Sequence, residues 1–165
     1  MLLQSASSGN PEVAPLLFDA FPAQPIFHGS PVAPVLQTAG QRLFRRRIRQ
    51  AAKKGPNFAG QYTIAEWGCG TSCVSIAIID AKTGVVYDGP FGKLPSAVLS
   101  YGRQLQYDRD AKGKYLYDEL SYKLNSRLMV ARGCPNEENC GAYFYEWTGS
   151  DFKLLQKIPA TPGVR

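Results

Sequence analysis

The sequence predicts a mainly β, α+β domain in which about six to eight antiparallel strands form a curved sheet, a sandwich or an incomplete propeller. Two observations predict this class. The 165 residues include 9 tyrosines, 8 phenylalanines and 2 tryptophans, which favour strands, and 16 glycines and 12 prolines, which favour turns. Short apolar runs alternate with turn signals along most of the chain, and one segment has helical spacing. The composition argues against a coiled coil, a repeat solenoid and a membrane-spanning protein.

The chain is expected to begin with an arm that lies outside the main domain. Residues 1–10 have the composition of a disordered start, and residues 10–37 contain six of the twelve prolines. The apolar residues between these prolines make the stretch too hydrophobic for a free linker, so we expect an extended arm laid across the body. The single disulfide-stapled β domain is then expected to cover 38–158, with 159–165 as a tail.

A basic amphipathic helix is predicted over 39–54, packed on the sheet. Apolar residues recur there at helical spacing, Thr38 is a suitable N-cap, and Gly55-Pro56 is a stop signal. Residues 42–54 hold seven of the 19 basic residues and no acidic residue, so the protein is a nearly neutral body with one basic segment.

This basic segment has two interpretations. It is either a solvated helix face or a docking surface for an acidic partner or a lipid headgroup, with Arg45, Arg46 and Arg49 as its contact residues. Nucleic acid is disfavoured as the partner because no basic strand interleaved with aromatic residues accompanies the helix.

The strands are predicted from alternating or continuous apolar runs bounded by turn residues. They cover 58–67, 73–80, 85–88, 103–107, 115–124, 127–132, 142–147 and 152–157. Residues 96–100 are predicted to form a helical turn. The turn at 148–151 joins the last two strands in a hairpin.

The four cysteines form two local pairs, Cys69 with Cys73 and Cys134 with Cys140. Three pairings can be drawn, and we favour the two local disulfides because closing a short loop requires the least ordering of the chain. Disulfides imply an oxidising compartment. The alternatives are free thiols or a zinc site of four thiolates, although neither pair has the usual C-x2-C spacing.

Both cysteine pairs stand beside aromatic residues. Gly68 and Gly70 flank Cys69 and permit a tight bend after Trp67, and the second pair leads into Tyr143 and Tyr145. We interpret each stretch either as a stapled turn that only stabilises the domain or as a rigid, exposed loop that anchors a partner through the neighbouring aromatic ring.

No motif identifies a reaction, and no cofactor or metal is expected. His28 is the only histidine and stands in the proline-rich arm, which disfavours a triad or a histidine metal centre. The alternating acids Asp108 and Asp110 lack the remaining pattern of an EF-hand. A pair of acids for hydrolysis would be drawn from four candidates: Glu66, Asp80, Glu119 and Glu146.

Several motifs carry a resemblance to known proteins. They are Phe-Ala-Gly-x-Tyr, Trp-Gly-Cys-Gly-x-x-Cys and Ile-Asp-Ala-Lys-Thr-Gly within 57–86, Asn125-Ser-Arg-Leu-Met-Val, and Tyr145-Glu-Trp-Thr-Gly. In these motifs the chain resembles a group of small exported proteins of Gram-negative bacteria, which implies compartment and domain type but no reaction. Short matches at Gly141-Ala-Tyr143 and Gly60-Gln-Tyr62 resemble the inserted loop of periplasmic lysozyme inhibitors and related immunity proteins.

The sequence therefore predicts a periplasmic or secreted binding domain that recognises a protein or a cell-envelope component, in the manner of an inhibitor. The first residues lack the basic and apolar regions of a complete signal peptide, so we expect the chain to start near a mature N-terminus. The alternative function is an envelope enzyme, either a carboxylate-based hydrolase or a thiol oxidoreductase that uses Cys69 and Cys73. The predicted contact residues are Trp67, Gly68, Gly70, Tyr143, Tyr145, Arg45, Arg46 and Arg49.

Overall fold

The computed structural model describes residues 16–101, 112 and 118–160, and within them it confirms a mainly β fold of antiparallel strands. The helices are α1 (Ala39–Leu43) and α2 (Arg45–Ala52). The strands are β1 (Tyr62–Gly70), β2 (Cys73–Asp80), β3 (Val86–Asp88), β4 (Leu99–Ser100), β5 (Leu120–Tyr122), β6 (Leu128–Pro135), β7 (Gly141–Trp147) and β8 (Phe152–Pro159). The expectations for 1–10, 103–107, 115–117 and 161–165, and for Asp108 and Asp110, lie outside the described residues. Of the strand predicted over 115–124, the described residues form only Leu120–Tyr122, and the last strand extends to Pro159, the first residue of the predicted tail.

The strands form one open sheet in the order β1-β2-β4-β6-β7-β8, with β3 paired to β2 and β5 paired to β6. Strand β4 is only two residues long, yet it joins the half that contains β1–β3 to the half that contains β5–β8. The predicted helical turn at 96–100 is wrong at this point, because Leu99 and Ser100 pair on both sides as a strand.

The sheet is curved so that the inner faces of its two halves meet in one aromatic core. Trp147 of β7 is 1% exposed, and its ring centroid lies 5.1 Å from that of Tyr62 in β1 and 5.3 Å from that of Tyr87 in β3. Phe58 lies beside the same ring, at 6.5 Å. The strict alternation of β2 places Val74, Ile76 and Ile78 in this core.

Two different segments cover the outer face of the sheet. Helix α2 packs Ile48 and Ala52 on β1 and β2. The arm, residues 16–37, packs Leu16, Phe18 and Phe21 against the outer side chains of β6 and β7. Strands β2 and β6 are therefore buried on both faces, and this is why their sequences are nearly continuous apolar runs.

The predicted single helix over 39–54 is wrong, because the chain breaks at Phe44 and α2 ends at Ala52. Phe44 has φ −98° and ψ 18°, and its ring lies 4.8 Å from the ring of Trp67. Thr38 and Gln41 form a capping box at the start of α1, as the sequence suggested for Thr38.

Candidate functional site

The four cysteines form two disulfides at the ends of two hairpins. Cys69–Cys73 closes the loop between β1 and β2, and Cys134–Cys140 closes the loop between β6 and β7. Their Cα atoms are 5.2 Å and 4.0 Å apart, respectively, and no cysteine is free. The favoured local pairing is confirmed, and the alternatives of a four-thiolate zinc site and of free thiols are wrong.

Strand β4 brings the two disulfides to the same end of the sheet. Ser100 pairs with Cys73 on one side and with Cys134 on the other. Neighbouring strands lie about 4.8 Å apart, so the two disulfide-bearing strands are separated here by only about 10 Å. The loop at 68–73 and the loop at 134–140 are therefore adjacent, and we call them together the stapled-loop surface.

Hydrogen bonds hold both loops to the segment that contains β4. The N–H of Tyr101 donates to the carbonyl oxygen of Ser72 at 2.7 Å. The N–H of Asn136 donates to the carbonyl oxygen of Val98 at 2.9 Å, and the Asn136 side chain accepts from the N–H of Val98 at 3.3 Å. The same side chain donates to the carbonyl oxygen of Phe91 at 2.6 Å. Each loop is therefore fixed by main-chain contacts as well as by its own disulfide.

Most of the stapled-loop surface is exposed and polar. The exposed residues are Gly68, Cys69, Gly70, Thr71 and Ser72 in the first loop, and Asn136, Glu137, Glu138 and Asn139 in the second. Four of them have left-handed backbone angles although they are not glycine: Ser72, Asn136, Glu137 and Asn139. Such angles are uncommon and persist where the surrounding structure fixes them, often at binding sites.

Trp67 does not lie where the sequence interpretation placed it. Its side chain is 5% exposed and packs under Phe44, on the outer face of β1. The expectation of an accessible aromatic anchor at this residue is wrong, because α2 covers the face on which Trp67 lies. Gly68 and Gly70, by contrast, are in the exposed loop as expected.

Tyr143 and Tyr145 are also buried, each 7% exposed, on the inner face of β7. They do not form an exposed anchor either. The hydroxyl of Tyr143 donates to the carbonyl oxygen of Asn139, so this side chain supports the second loop from below. Lys157 of β8 lies 5.3 Å above the Tyr143 ring.

Arg45, Arg46 and Arg49 are exposed on α2, outside β1 and β2. They belong to a different surface from the two loops. Arg45 donates to the carbonyl oxygen of Arg42 at 3.2 Å, and among the described residues none of the three arginines forms an ion pair.

The four candidate acids have different surroundings. Asp80 accepts from the Gln61 amide at 3.1 Å and caps the turn that follows β2. Glu146 forms an ion pair with Arg127. Glu66 accepts a hydrogen bond from the Tyr122 hydroxyl on the inner face. Three of the four acids thus have structural partners, and Glu66 and Glu119 both act on Tyr101.

Burial keeps several tyrosines protonated on the inner face. Burial, followed by the charges of Glu66 and Glu119, raises the pKa of Tyr101 to about 12. Burial and the hydrogen bond to Glu66 raise the pKa of Tyr122, and burial followed by the charge of Tyr143 raises the pKa of Tyr145. These phenols can donate hydrogen bonds but stay neutral at physiological pH.

We expect the free energy of unfolding to decrease as the pH rises above about 10. Because the folded pKa values of Tyr101 and Tyr122 exceed the ordinary value, the folded chain keeps protons that the unfolded chain loses. Their contribution is complete below the unfolded pKa and is lost as the pH rises through the folded pKa. Guanidinium titrations at about pH 8 and about pH 11 measure this loss. Tyr122→Phe should reduce it, and an equal loss in that variant would contradict the assignment.

The described residues contain neither a metal-binding cluster nor a membrane-spanning helix. Within 16–101, 112 and 118–160, no three histidine, cysteine, aspartate or glutamate side chains are grouped to bind a metal. None of the helices in the same ranges is long and apolar enough to cross a membrane. Comparison with protein-family models, with curated proteins and with solved structures gave no match.

The sequence interpretation missed the residues that assemble the stapled-loop surface. Ser100 pairs with the strands that carry both disulfides, and Asn136 bonds the second loop to Val98 and Phe91. Asparagine tolerates left-handed backbone angles, so its presence beside Cys134 is a usable signal. A strand of two residues has no period that could reveal it.

Proposed function

We propose that this protein is an exported binding domain that recognises a protein or a cell-envelope component through the stapled-loop surface. The observation that carries the proposal is the pairing of Ser100 with both Cys73 and Cys134. Two separate hairpin loops thereby become one exposed surface at one end of the sheet.

Preorganisation of the loops supports a binding role. A flexible loop loses conformational entropy when it binds, at about 0.5–1.5 kcal/mol for each ordered side chain, whereas a loop that is already fixed loses less. Here each loop is closed by a disulfide and bonded to the segment around β4. Three polar residues of the second loop, Asn136, Glu137 and Asn139, have left-handed backbone angles.

The distribution of charge favours a partner with a basic or hydrogen-bond-donating surface. The net charge of +6 comes from the basic segment, while the only charged residues of the two loops are Glu137 and Glu138. An inhibitor that inserts its loops into a basic enzyme is therefore electrostatically acceptable for this end of the molecule.

Export is proposed on the chemistry of the cysteines. Stable disulfides form in oxidising compartments and are rare in the cytosol of most organisms. Both pairs are oxidised in this structure. The two disulfides support the proposed periplasmic or secreted location.

Site-specific photo-cross-linking tests the proposal. A photoreactive amino acid is placed at Thr71 or Glu138 and, as matched controls, at Thr83 or Asp151 in the turns at the other end of the strands. With eight residues in β2, this other end is about 25 Å away. We expect both loop positions to cross-link the same envelope protein or glycan, and neither control position to do so.

The purified partner then allows the affinity to be measured. Thr71→Arg and Glu138→Arg should each weaken binding by at least about tenfold, and Thr83→Arg and Asp151→Arg by less than about twofold. The proposal is wrong if cross-links form equally from both ends of the sheet, or if the loop variants bind as tightly as the wild type.

A further inference from the structure

A groove lies between the arm and α2, away from the stapled-loop surface. Its volume is about 400 Å³, and it is lined by Pro31, Val32, Ala33, Pro34, Arg49, Ala52 and Lys53. Cavities of about 300–1,000 Å³ are typical of small-molecule sites. We call this feature the arm–helix groove.

Both walls of the groove are held in place by the body of the domain. On the arm side, the N–H of Val32 donates to the carbonyl oxygen of Ala81 and the N–H of Val35 donates to that of Gly84, each at 2.8 Å. A Cβ on Gly84 would lie only 2.3 Å from the carbonyl oxygen of Ala33, which shows how closely the arm approaches this turn. The groove therefore exists before any ligand enters it.

The helix wall is fixed by burial. Ile48 is 0% exposed and Ala52 is 4% exposed, so α2 is packed on the sheet along one side. Arg49 and Lys53 follow each other at a spacing of four residues and line the groove together. Among the described acidic residues, none forms an ion pair with either cation.

The lining of the groove thus combines apolar residues with two cations, Arg49 and Lys53. Val32 is 43% exposed, although it is a large apolar side chain, and it stands between two prolines of the arm with Ala52 across the groove. Arginine and lysine bind carboxylate and phosphate oxygens. Covering the exposed valine and proline surfaces with an apolar group is favourable, because it removes apolar area from water.

We propose that the arm–helix groove binds a small amphipathic anion, namely a carboxylate or phosphate ester attached to a short hydrocarbon or a single ring. The anionic group contacts Arg49 and Lys53, and the apolar body covers Val32 and the adjacent prolines. This inference does not depend on the proposed function, because the groove and the stapled-loop surface share no residue.

Titration calorimetry with octyl phosphate as the probe tests the site. Octanol supplies the same apolar body without charge, and inorganic phosphate supplies the charge without the body. We expect octyl phosphate to bind at least about tenfold more tightly than either. Inorganic phosphate binding as tightly as octyl phosphate would overturn the apolar half of the proposal, and octanol binding as tightly would overturn the anionic half.

Two double variants with the same change in charge separate the groove from general electrostatics. Arg49→Gln/Lys53→Gln removes the groove cations, whereas Arg47→Gln/Lys54→Gln removes two exposed cations that do not line it. We expect the first to weaken octyl phosphate binding by at least about tenfold and the second by less than about twofold. An equal loss in both variants would overturn the site in favour of diffuse attraction.

Two further experiments test the apolar contact and the source of the ligand. Val32→Asn keeps the main-chain bond to Ala81 but removes apolar contact, and it should weaken octyl phosphate while leaving inorganic phosphate unchanged. Vesicles that contain phosphatidylglycerol test a membrane as the ligand source. If vesicles bind and octyl phosphate does not, the small-molecule site is contradicted. Unfolding midpoints equal to that of the wild type establish that each variant is folded.

Discussion

Replacing Trp147 with alanine is expected to lower the free energy of unfolding by about 3–5 kcal/mol. The side chain is 1% exposed and belongs to β7, but it packs against Tyr62 of β1 and Tyr87 of β3. The ring of Phe152 in β8 lies 4.8 Å away. The variant therefore removes buried area at the place where the two halves of the sheet meet.

Guanidinium denaturation followed by far-ultraviolet circular dichroism measures this change. Leu154→Ala is the control, because Leu154 is 49% exposed in the neighbouring strand and should change the free energy by less than about 0.5 kcal/mol. The loss of unfolding free energy for Trp147→Phe should lie between the losses for Trp147→Ala and Leu154→Ala. A loss below about 1 kcal/mol for Trp147→Ala would contradict the central position of this residue.

The second large effect is expected from removing the disulfide of the second loop. Cys134→Ala/Cys140→Ala should lower the free energy of unfolding by about 2–4 kcal/mol, of which loop closure accounts for about 2.4 kcal/mol. Cys134 is 8% exposed and its strand pairs with Ser100, so the unlinked loop also loses packing against β4. Cys69→Ala/Cys73→Ala serves as the comparison, with an expected loss of about 2 kcal/mol.

The two cysteine variants also show whether each disulfide keeps its own loop ordered, which is a separate question from its effect on the free energy of unfolding. Amide hydrogen exchange should accelerate at Asn136 and Glu137 only when the second disulfide is absent, and at Tyr101 only when the first is absent, because the Tyr101 N–H bonds to Ser72. If neither variant changes the exchange of these amides, the disulfides do not fix the loops, and the argument from preorganisation is wrong.

Most of the longer strands and both disulfides could be predicted from local sequence alone, whereas the two-residue strand β4 could not. Alternation of Val74, Ile76 and Ile78 predicts β2 at the bounds found, and each cysteine pair is close enough in sequence to close a loop at low entropic cost. The capping box at Thr38 is equally local. These features are determined by residues within one turn or one strand of each other.

The surroundings of Trp67 and of Ser100 could not be predicted in this way. Alternation predicts that Trp67 and Glu66 face opposite sides of a strand, but it does not say which segment covers either side. Here α2 covers the side of Trp67, so a residue beside an exposed loop is itself buried. Ser100 matters because three distant strands meet there, and such a meeting depends on the whole topology.

The arm–helix groove depends on topology in the same way. The sequence predicts a proline-rich arm and a basic helix, but not that they contact each other. Their contact is set by the turn at 80–84, which holds the arm through main-chain hydrogen bonds to Ala81 and Gly84. Nothing in the composition of residues 31–34 indicates that Arg49 lies across from them.

The docking of the arm has a consequence for how the chain is made. Residues 16–23 are synthesised before the strands that they cover. The carbonyl oxygens of Phe18 and Phe21 accept hydrogen bonds from the Ser126 hydroxyl, and both rings pack beside Phe144 and Ile158. A chain that emerges N-terminus first cannot seat this segment until its last hairpin is complete. The arm is therefore the last of the described segments to dock, and the outer face of β6 and β7 stays uncovered until β7 and β8 have paired.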